Sequence, residues 1–251
     1  ELNLELNTHV AIMGDLQGPK LRIGLVENNS FLQKNDTIVV QHGHGKSNNK
    51  QLFVNYKTIS DDVNCGDKIL LDDGKIVLKA IHKKNHMIDC CVIQGGELKE
   101  KKGLNLPNTE ISIPTISNKD KIDLDFCIQN KIEWIALSFV RNGKDILDLK
   151  EILKNQNSQS KVIAKIEKPE AIKNLNNIIK HTDALMVARG DLGVEVPTQK
   201  VPVLQKKIVR AARRNAKPVI IATQVMESMI QNLAPSRAET NDAANAVFDG
   251  A

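Results

Sequence analysis

The sequence predicts an α/β protein: a parallel (β/α)8 barrel of the TIM type, incomplete at about five strands, with a small all-β domain inserted into it. Three observations carry that expectation. Short, continuously apolar segments recur and each ends in polar or charged residues. Amphipathic helical periods separate the later ones. The stretch from about residue 21 to 107 instead alternates strand-like runs with turn signals.

The apolar segments are Val10–Asp15, Trp134–Arg141, Lys161–Glu167, Ala184–Asp191 and Pro218–Gln224. Runs without polar alternation suit parallel strands covered on both faces. Between them, Ile146, Leu149, Ile152 and Leu153 share a helical face. So do Ile172, Leu175, Ile178 and Ile179, and likewise Leu204, Ile208, Ala211 and Ala212. Strand–helix alternation implies βαβ units. Charged residues at the ends of successive strands favour a barrel, whose active site is built at that end. The expected division is residues 1–20 and 108–251 for the barrel and 21–107 for the insert. Within the insert, Asp73-Gly74 separates two apolar runs and reads as a hairpin.

A complete barrel typically needs about 250 residues by itself, so roughly three units are expected to be missing. The chain alone is then expected to be inactive and poorly folded, with unpaired strand edges.

Composition sets limits on function. The chain has 251 residues, 41% hydrophobic and 26% charged, with a formal net charge of +5. No apolar run approaches the ~20 residues of a membrane span, so no membrane partner is expected. The strongest basic cluster, Lys206-Lys207 with Arg210, Arg213 and Arg214, reads as a solvated helix face, and no nucleic-acid partner is expected. Cys65, Cys90, Cys91 and Cys127 form no C-x-x-C pair, which suits reduced, cytoplasmic thiols. Gly45-Lys46-Ser47 resembles the end of a phosphate loop, but Val40 stands where the first glycine belongs, and it reads as an exposed loop.

Four groups of residues carry chemistry. Lys165 and Glu167 lie two apart in a strand and project to the same side. In an otherwise apolar strand, an unpaired charge there would be costly. Arg189-Gly190-Asp191 follows another strand, and Asp191 with Glu167 gives two carboxylates of the kind Mg²⁺ takes. Thr223 ends a third strand, where a hydroxyl can serve substrate or cap a helix. Asp15 to Arg22 leaves the first strand, and Lys20 and Arg22 can reach phosphates, or belong to a solvated linker.

Together and in order, these segments resemble the pyruvate kinases. Val10 to Arg22 is similar to that family's third barrel strand and the exit to its lid domain. Lys102-Gly103-Leu104-Asn105-Leu106-Pro107 is similar to the return. Ile163-Ala164-Lys165-Ile166-Glu167, Met186 to Glu195, Ala222 to Met229 and Arg237-Ala238-Glu239 resemble further family signatures.

The resemblance implies a glycolytic phosphotransferase that converts phosphoenolpyruvate and ADP to pyruvate and ATP. It implies Glu167 and Asp191 as ligands of Mg²⁺ or Mn²⁺, and Lys165, Thr223 and Ser138 as catalytic groups. Ala188, Arg189, Gly190, Asp191 and Thr223 would line the substrate. The Gly190 and Asp191 N–H groups would take its carboxylate. Arg22 and Lys102 would bind nucleotide phosphates. Asp15, Leu16 and Lys20 would form the monovalent-cation region, and the assembled enzyme would be a homotetramer. A metal-dependent pyruvate-enolate lyase or aldolase, an inactive remnant, and a nucleic-acid-binding β module are the alternatives.

Leu16 stands where many members have Thr, and Lys20 where many have Glu. A tethered ammonium supplies the positive charge that K⁺ otherwise brings and repels a cation from the same place. We therefore expect full activity when K⁺ is replaced by a bulky quaternary ammonium ion at equal ionic strength, and K⁺ dependence in Lys20→Glu. A large loss in the unmutated enzyme on that replacement would exclude the substitution of charge.

Overall fold

The computed structural model describes residues 2–251. Contacts divide the chain into two compact units, residues 1–19, 115–193 and 197–251 in one, and 20–114 with 194–196 in the other.

The first unit is built on a five-stranded parallel sheet. Its strands are β1 (Met13–Leu16), β2 (Trp134–Leu137), β3 (Lys161–Ile166), β4 (Ala184–Ala188) and β5 (Val219–Ala222). Each strand pairs with the next in chain order. Helix α1 (Asn118–Gln129) precedes β2, and α2 (Gly143–Asn155) joins β2 to β3. A broken pair, Pro169–Lys173 and α3 (Leu175–His181), precedes β4. Helices α4 (Arg189–Glu195) and α5 (Val201–Arg214) precede β5, and α6 (Arg237–Asp249) follows it.

The two faces of the sheet differ in a way that positions the site. Ala136, Ile163, Ala184 and Met186 form one buried cluster, with Trp134 and Ala222 against it. The alternate residues Ile135, Leu137, Val162, Ala164, Leu185 and Val187 are also buried. The period of two that puts Ala136 and Ile163 on the first face also puts Ser138, Lys165 and Glu167 there, further toward the strand ends. Burial on both faces explains why these strands read as unbroken apolar runs.

The strands are shorter than their sequence runs suggest. Val10 and Ile12 are exposed and precede β1. Ser138 to Arg141 lie beyond β2, and Arg189 to Asp191 belong to the first turn of α4 rather than to a strand end. Pairing stops where the neighbouring strand stops, which an apolar run cannot reveal.

Helix α1 was not legible. Only Leu124, Cys127 and Asp120 are buried on it, while Ile122 and Phe126 are exposed, so its apolar residues trace no single stripe. Its capping box was the available signal: the Ser117 side chain accepts from Asp120 N and Asp120 caps Ser117 in return. Gly14 shows why α1 packs where it does, since a Cβ there would stand 2.6 Å from Cys127 Sγ.

The second unit carries a six-stranded sheet in the order 51–54, 37–42, 87–94, 76–84, 68–71 and 104–105. All neighbours are antiparallel except the first pair. Ile38, Val40, Leu52, Val54, Ile69, Leu78 and Ile88 alternate along it into one fully buried core. The hairpin at Asp73-Gly74 is present, with Leu71 opposite Ile76 and Asp72, Asp73 and Gly74 all at positive φ. The unit is not purely β, because Ile59–Asp62 forms a helical turn. Nor is Gly45-Lys46-Ser47 a free loop: Ser47 is fully buried and its backbone bonds Leu25 and Glu27. Cys90 is buried and Cys91 partly so, on opposite faces of one strand, and all four cysteines are free. No helix among the described residues is long and apolar enough to cross a membrane.

Asp120 ties this frame to the exit of β1. It is fully buried, caps α1 through Ser117, and accepts from Gly18 N at 3.0 Å. Asp120→Ala leaves these donors without an acceptor. The expected loss is about 2–3 kcal/mol, combining a cap with a buried unsatisfied donor. Urea denaturation would check it as a lower midpoint at unchanged slope.

Candidate active site at the strand ends

The site is assembled around one ammonium. Lys165, on β3, has a side chain only 12% exposed. Its Nζ donates to Asp15 Oδ1 at 3.0 Å and Oδ2 at 3.2 Å, and to Ser138 Oγ at 2.8 Å. Glu167 Oε1 lies 3.3 Å away. The sequence places these residues far apart, and the order β1-β2-β3 brings them to one end of three adjacent strands.

Glu167 is 1% exposed. Its Oε2 accepts from Phe139 N at 2.7 Å. That N–H is available because Phe139 takes a left-handed backbone, φ 54°, immediately after Ser138. A bulky residue there is a genuine outlier, of the sort that clusters at functional sites.

Two opposing influences act on this pair. Burial penalises both charges, and mutual attraction favours both. At Lys165, burial pulls the pKa down, but Glu167 and Asp15 together outweigh it, and the value rises above that of an ordinary lysine. At Glu167, burial wins over attraction to Lys165, with Asp191 adding repulsion, and the pKa is raised to about 6. A nearly buried carboxylate beside a second carboxylate is an environment that accepts a cation.

Asp191 lies in the first turn of α4. The donors Glu167 and Asp191 are hard oxygens, and each carboxylate retains lone pairs beyond the contacts described. This donor set fits Mg²⁺ or Mn²⁺, which keep waters and substrate oxygens in their remaining positions. Among the described residues no group of three or more His, Cys, Asp or Glu forms a closed metal cage.

Beyond β5 the backbone is again left-handed, at Thr223 (φ 66°), Gln224 (φ 52°) and Met226 (φ 54°). Thr223 caps no helix of its own. Its Oγ1 accepts from Gly190 N at 2.9 Å, at the start of α4. Gly190 N–H is thus engaged by that hydroxyl. Arg189 is turned toward the same backbone: Nε and Nη2 donate to Thr223 O at 3.2 and 2.9 Å, and Nη2 to Gln224 O at 2.8 Å. Its Nη1 meets Asp242 at 2.6 Å. Ala188 is the buried last residue of β4, opposite Ala222.

Leu16 is 1% exposed and belongs to the apolar core at the end of β1. In the second unit, Arg22 pairs with Gly103, which sets Arg22 and Lys102 beside one another. Arg22 Nη1 donates to Lys101 O at 2.7 Å, and Lys102 Nζ pairs with Asp72 at 3.0 Å. Lys102 and Lys75 hold the Asp72 carboxyl below its usual range against the opposing effect of burial. Lys20 is partly buried in the same unit, and its carbonyl accepts from Asn55 Nδ2. Sequence reasoning missed Phe139 and Asp242. Neither carries a motif of its own, and only their three-dimensional partners reveal them.

The family model described as "Pyruvate kinase, barrel domain" matches residues 2–251. Proteins named pyruvate kinase are similar throughout. The one from Corynebacterium glutamicum is 44% identical over 96% of this chain and 51% of its own length. That from Mycobacterium tuberculosis is 42% identical over 96% and 52%. That from Buchnera aphidicola subsp. Schizaphis graminum is 43% identical over 100% and 53%. The chain therefore spans about half the length of the curated relatives it matches. A crystal structure of a pyruvate kinase from Cryptosporidium parvum superimposes with a TM-score of 0.95 at 34% identity, covering 99% of this chain and 52% of that one.

The raised pKa of Glu167 has a stability consequence. Its folded value, about 6, exceeds the reference 4.5. The folded state therefore holds the proton more tightly, and stability falls as pH rises from 4.5 through about 6. The expected loss for the metal-free protein is about 2 kcal/mol. Urea unfolding across pH 4 to 8 should register it, and Glu167→Gln should flatten that part of the profile.

Proposed function

The chain belongs to the pyruvate kinase family, and we propose that its strand-end site transfers the phosphoryl group of phosphoenolpyruvate to ADP, giving pyruvate and ATP. Family membership sets aside the enolate lyase or aldolase as a reading of this sequence. The observation that carries the proposal is the buried Lys165 ammonium, held by Asp15, Ser138 and Glu167 at the end of the sheet.

In this reading each residue has a task fixed by its position. Lys165, held charged by two carboxylates, offers its ammonium to the phosphoryl oxygens in flight and to the enolate oxygen left behind. Being fixed beforehand, it stabilises charge in the transition state without reorganising. Ser138 and Asp15 hold that ammonium in place. Thr223 Oγ1, which lies 2.9 Å from Gly190 N, is assigned to the protonation of the enolate carbon. Glu167 and Asp191 would hold a divalent cation, which when bound supplies Lewis-acid neutralisation of phosphate charge. Arg22 and Lys102, on the second unit, are assigned to the nucleotide phosphates, with residues 21–107 acting as a lid domain and the remaining barrel strands completing the (β/α)8 architecture. Free thiols and the glycolytic reaction suit a cytoplasmic enzyme, and a homotetramer is the assembly the family implies.

The proposal is tested by ADP-dependent pyruvate formation in the intact enzyme. Lys165→Met should lower kcat by at least about a thousandfold, the scale of losing a preorganised charge, while Mn²⁺ affinity by calorimetry stays near that of the parent. Glu167→Gln and Asp191→Asn should each weaken Mn²⁺ binding markedly. Near-normal turnover in Lys165→Met would remove the ammonium from its assigned role, and unchanged Mn²⁺ affinity in both carboxylate variants would displace the metal site.

A further inference from the structure

The exit of β5 presents a problem in backbone energetics. Thr223, Gln224 and Met226 all adopt left-handed conformations, and none is glycine. Thr223 is β-branched, for which positive φ is a true outlier. Residues so placed are strained and persist only where the surroundings over-determine them. The strand pairing that fixes Ala222 against Ala188 ends before this turn.

One side chain supplies the missing restraint. All three guanidinium nitrogens of Arg189 are engaged, two of them on the turn itself. Nε and Nη2 converge on the Thr223 carbonyl, and Nη2 also reaches that of Gln224. Nη1 is tied to Asp242 on α6. The Arg189 side chain is 9% exposed, so these bonds compete little with water. The next residue, Gly190, donates its N–H to Thr223 Oγ1. Consecutive residues at the start of α4 thus hold both the carbonyl and the hydroxyl of Thr223. Gly190 keeps the approach close, because a Cβ there would stand 3.3 Å from that hydroxyl oxygen. Thr223 itself is exposed, so its hydroxyl, accepting from Gly190 N–H, stays open to solvent and to an incoming molecule.

We propose that Arg189, anchored by Asp242, is a positioning residue that fixes the left-handed Thr223–Gln224 turn and thereby sets the Thr223 hydroxyl for the reaction. Arg189 then acts on substrate through Thr223 and not by contact. A planar fork is required, since one donor group must span two adjacent carbonyls while a third nitrogen faces a carboxylate. A lysine retains the charge but not that geometry. The inference rests on the phosphoenolpyruvate reading above, because the readouts are steps of that reaction.

The experiment uses the intact enzyme, with Arg189→Lys, Arg189→Met, Thr223→Ala and the two double variants. Steady-state kcat and KM for phosphoenolpyruvate are measured together with exchange of pyruvate methyl protons for solvent deuterium, which reads the proton step alone. Arg189→Lys is expected to lower kcat and exchange at least about tenfold, with KM changed less than about threefold and the thermal midpoint retained. Each double variant should be no slower than its slower parent within about twofold, because both changes disable one unit. Losses that multiply in the double variants would overturn the proposal, as would full activity in Arg189→Lys. Should Arg189→Met fail to fold, Arg189→Lys decides, since it keeps a cation for Asp242. An unmutated enzyme that forms no pyruvate from phosphoenolpyruvate and ADP would overturn the underlying reaction, an outcome distinct from failure of the clamp alone.

Discussion

A lysine ammonium with little access to water, placed where three parallel strands end, is the constraint on which the rest of the first unit depends. Such a charge is costly unless it is paired and hydrogen-bonded. Lys165 satisfies the requirement only because Asp15, Ser138 and Glu167 arrive from β1, β2 and β3 and their exits. The strand order, the register that aligns Asp15 with Ala136 and Ile163, and the apolar cluster on the same face of the sheet all serve that convergence. Removing Lys165 would leave the Glu167 carboxylate, 1% exposed, without the cation that neutralises it.

The same economy governs the backbone. Unpaired strand ends would normally relax into extended or helical conformations, yet β2 and β5 each run into left-handed residues. At β2 the twist turns Phe139 N–H onto Glu167, so the strained residue contributes a hydrogen bond to the more deeply buried member of the ion pair. At β5 the twist turns two carbonyls toward Arg189. Strain and electrostatics are therefore coupled: the unusual dihedrals exist where a charged side chain collects backbone polar groups. Glu167, pushed toward neutrality by burial, and Lys165, held charged by its neighbours, show how unevenly one low-dielectric site can treat two members of a pair.

The second unit follows different rules. Its core forms from alternating residues on an antiparallel sheet, and its functional candidates sit on the paired segments around Arg22 and Gly103. Lys102 and Lys75 share the shielded carboxylate of Asp72, which orients Lys102 without needing an apolar pocket.

The sequence by itself determined the parallel strands, because burial on both faces demands unbroken apolar runs. It also located Lys165, Glu167 and Asp191, because charges at the ends of such runs conflict with burial unless they serve a purpose. The hairpin at Asp73-Gly74 was equally local, since the turn needs residues that tolerate positive φ. Tertiary structure alone decided what those charges touch. Asp15 and Lys165 meet at 3.0 Å across 150 residues of chain, and no spacing rule encodes that approach. Helix α1 escaped detection because only a few of its residues are buried, leaving no stripe to read. Arg189 was legible as part of a motif but not as a clamp, because its partners Thr223, Gln224 and Asp242 come from the next strand and the last helix. Periodicity reports what is buried; only the packed chain fixes which buried polar groups find one another.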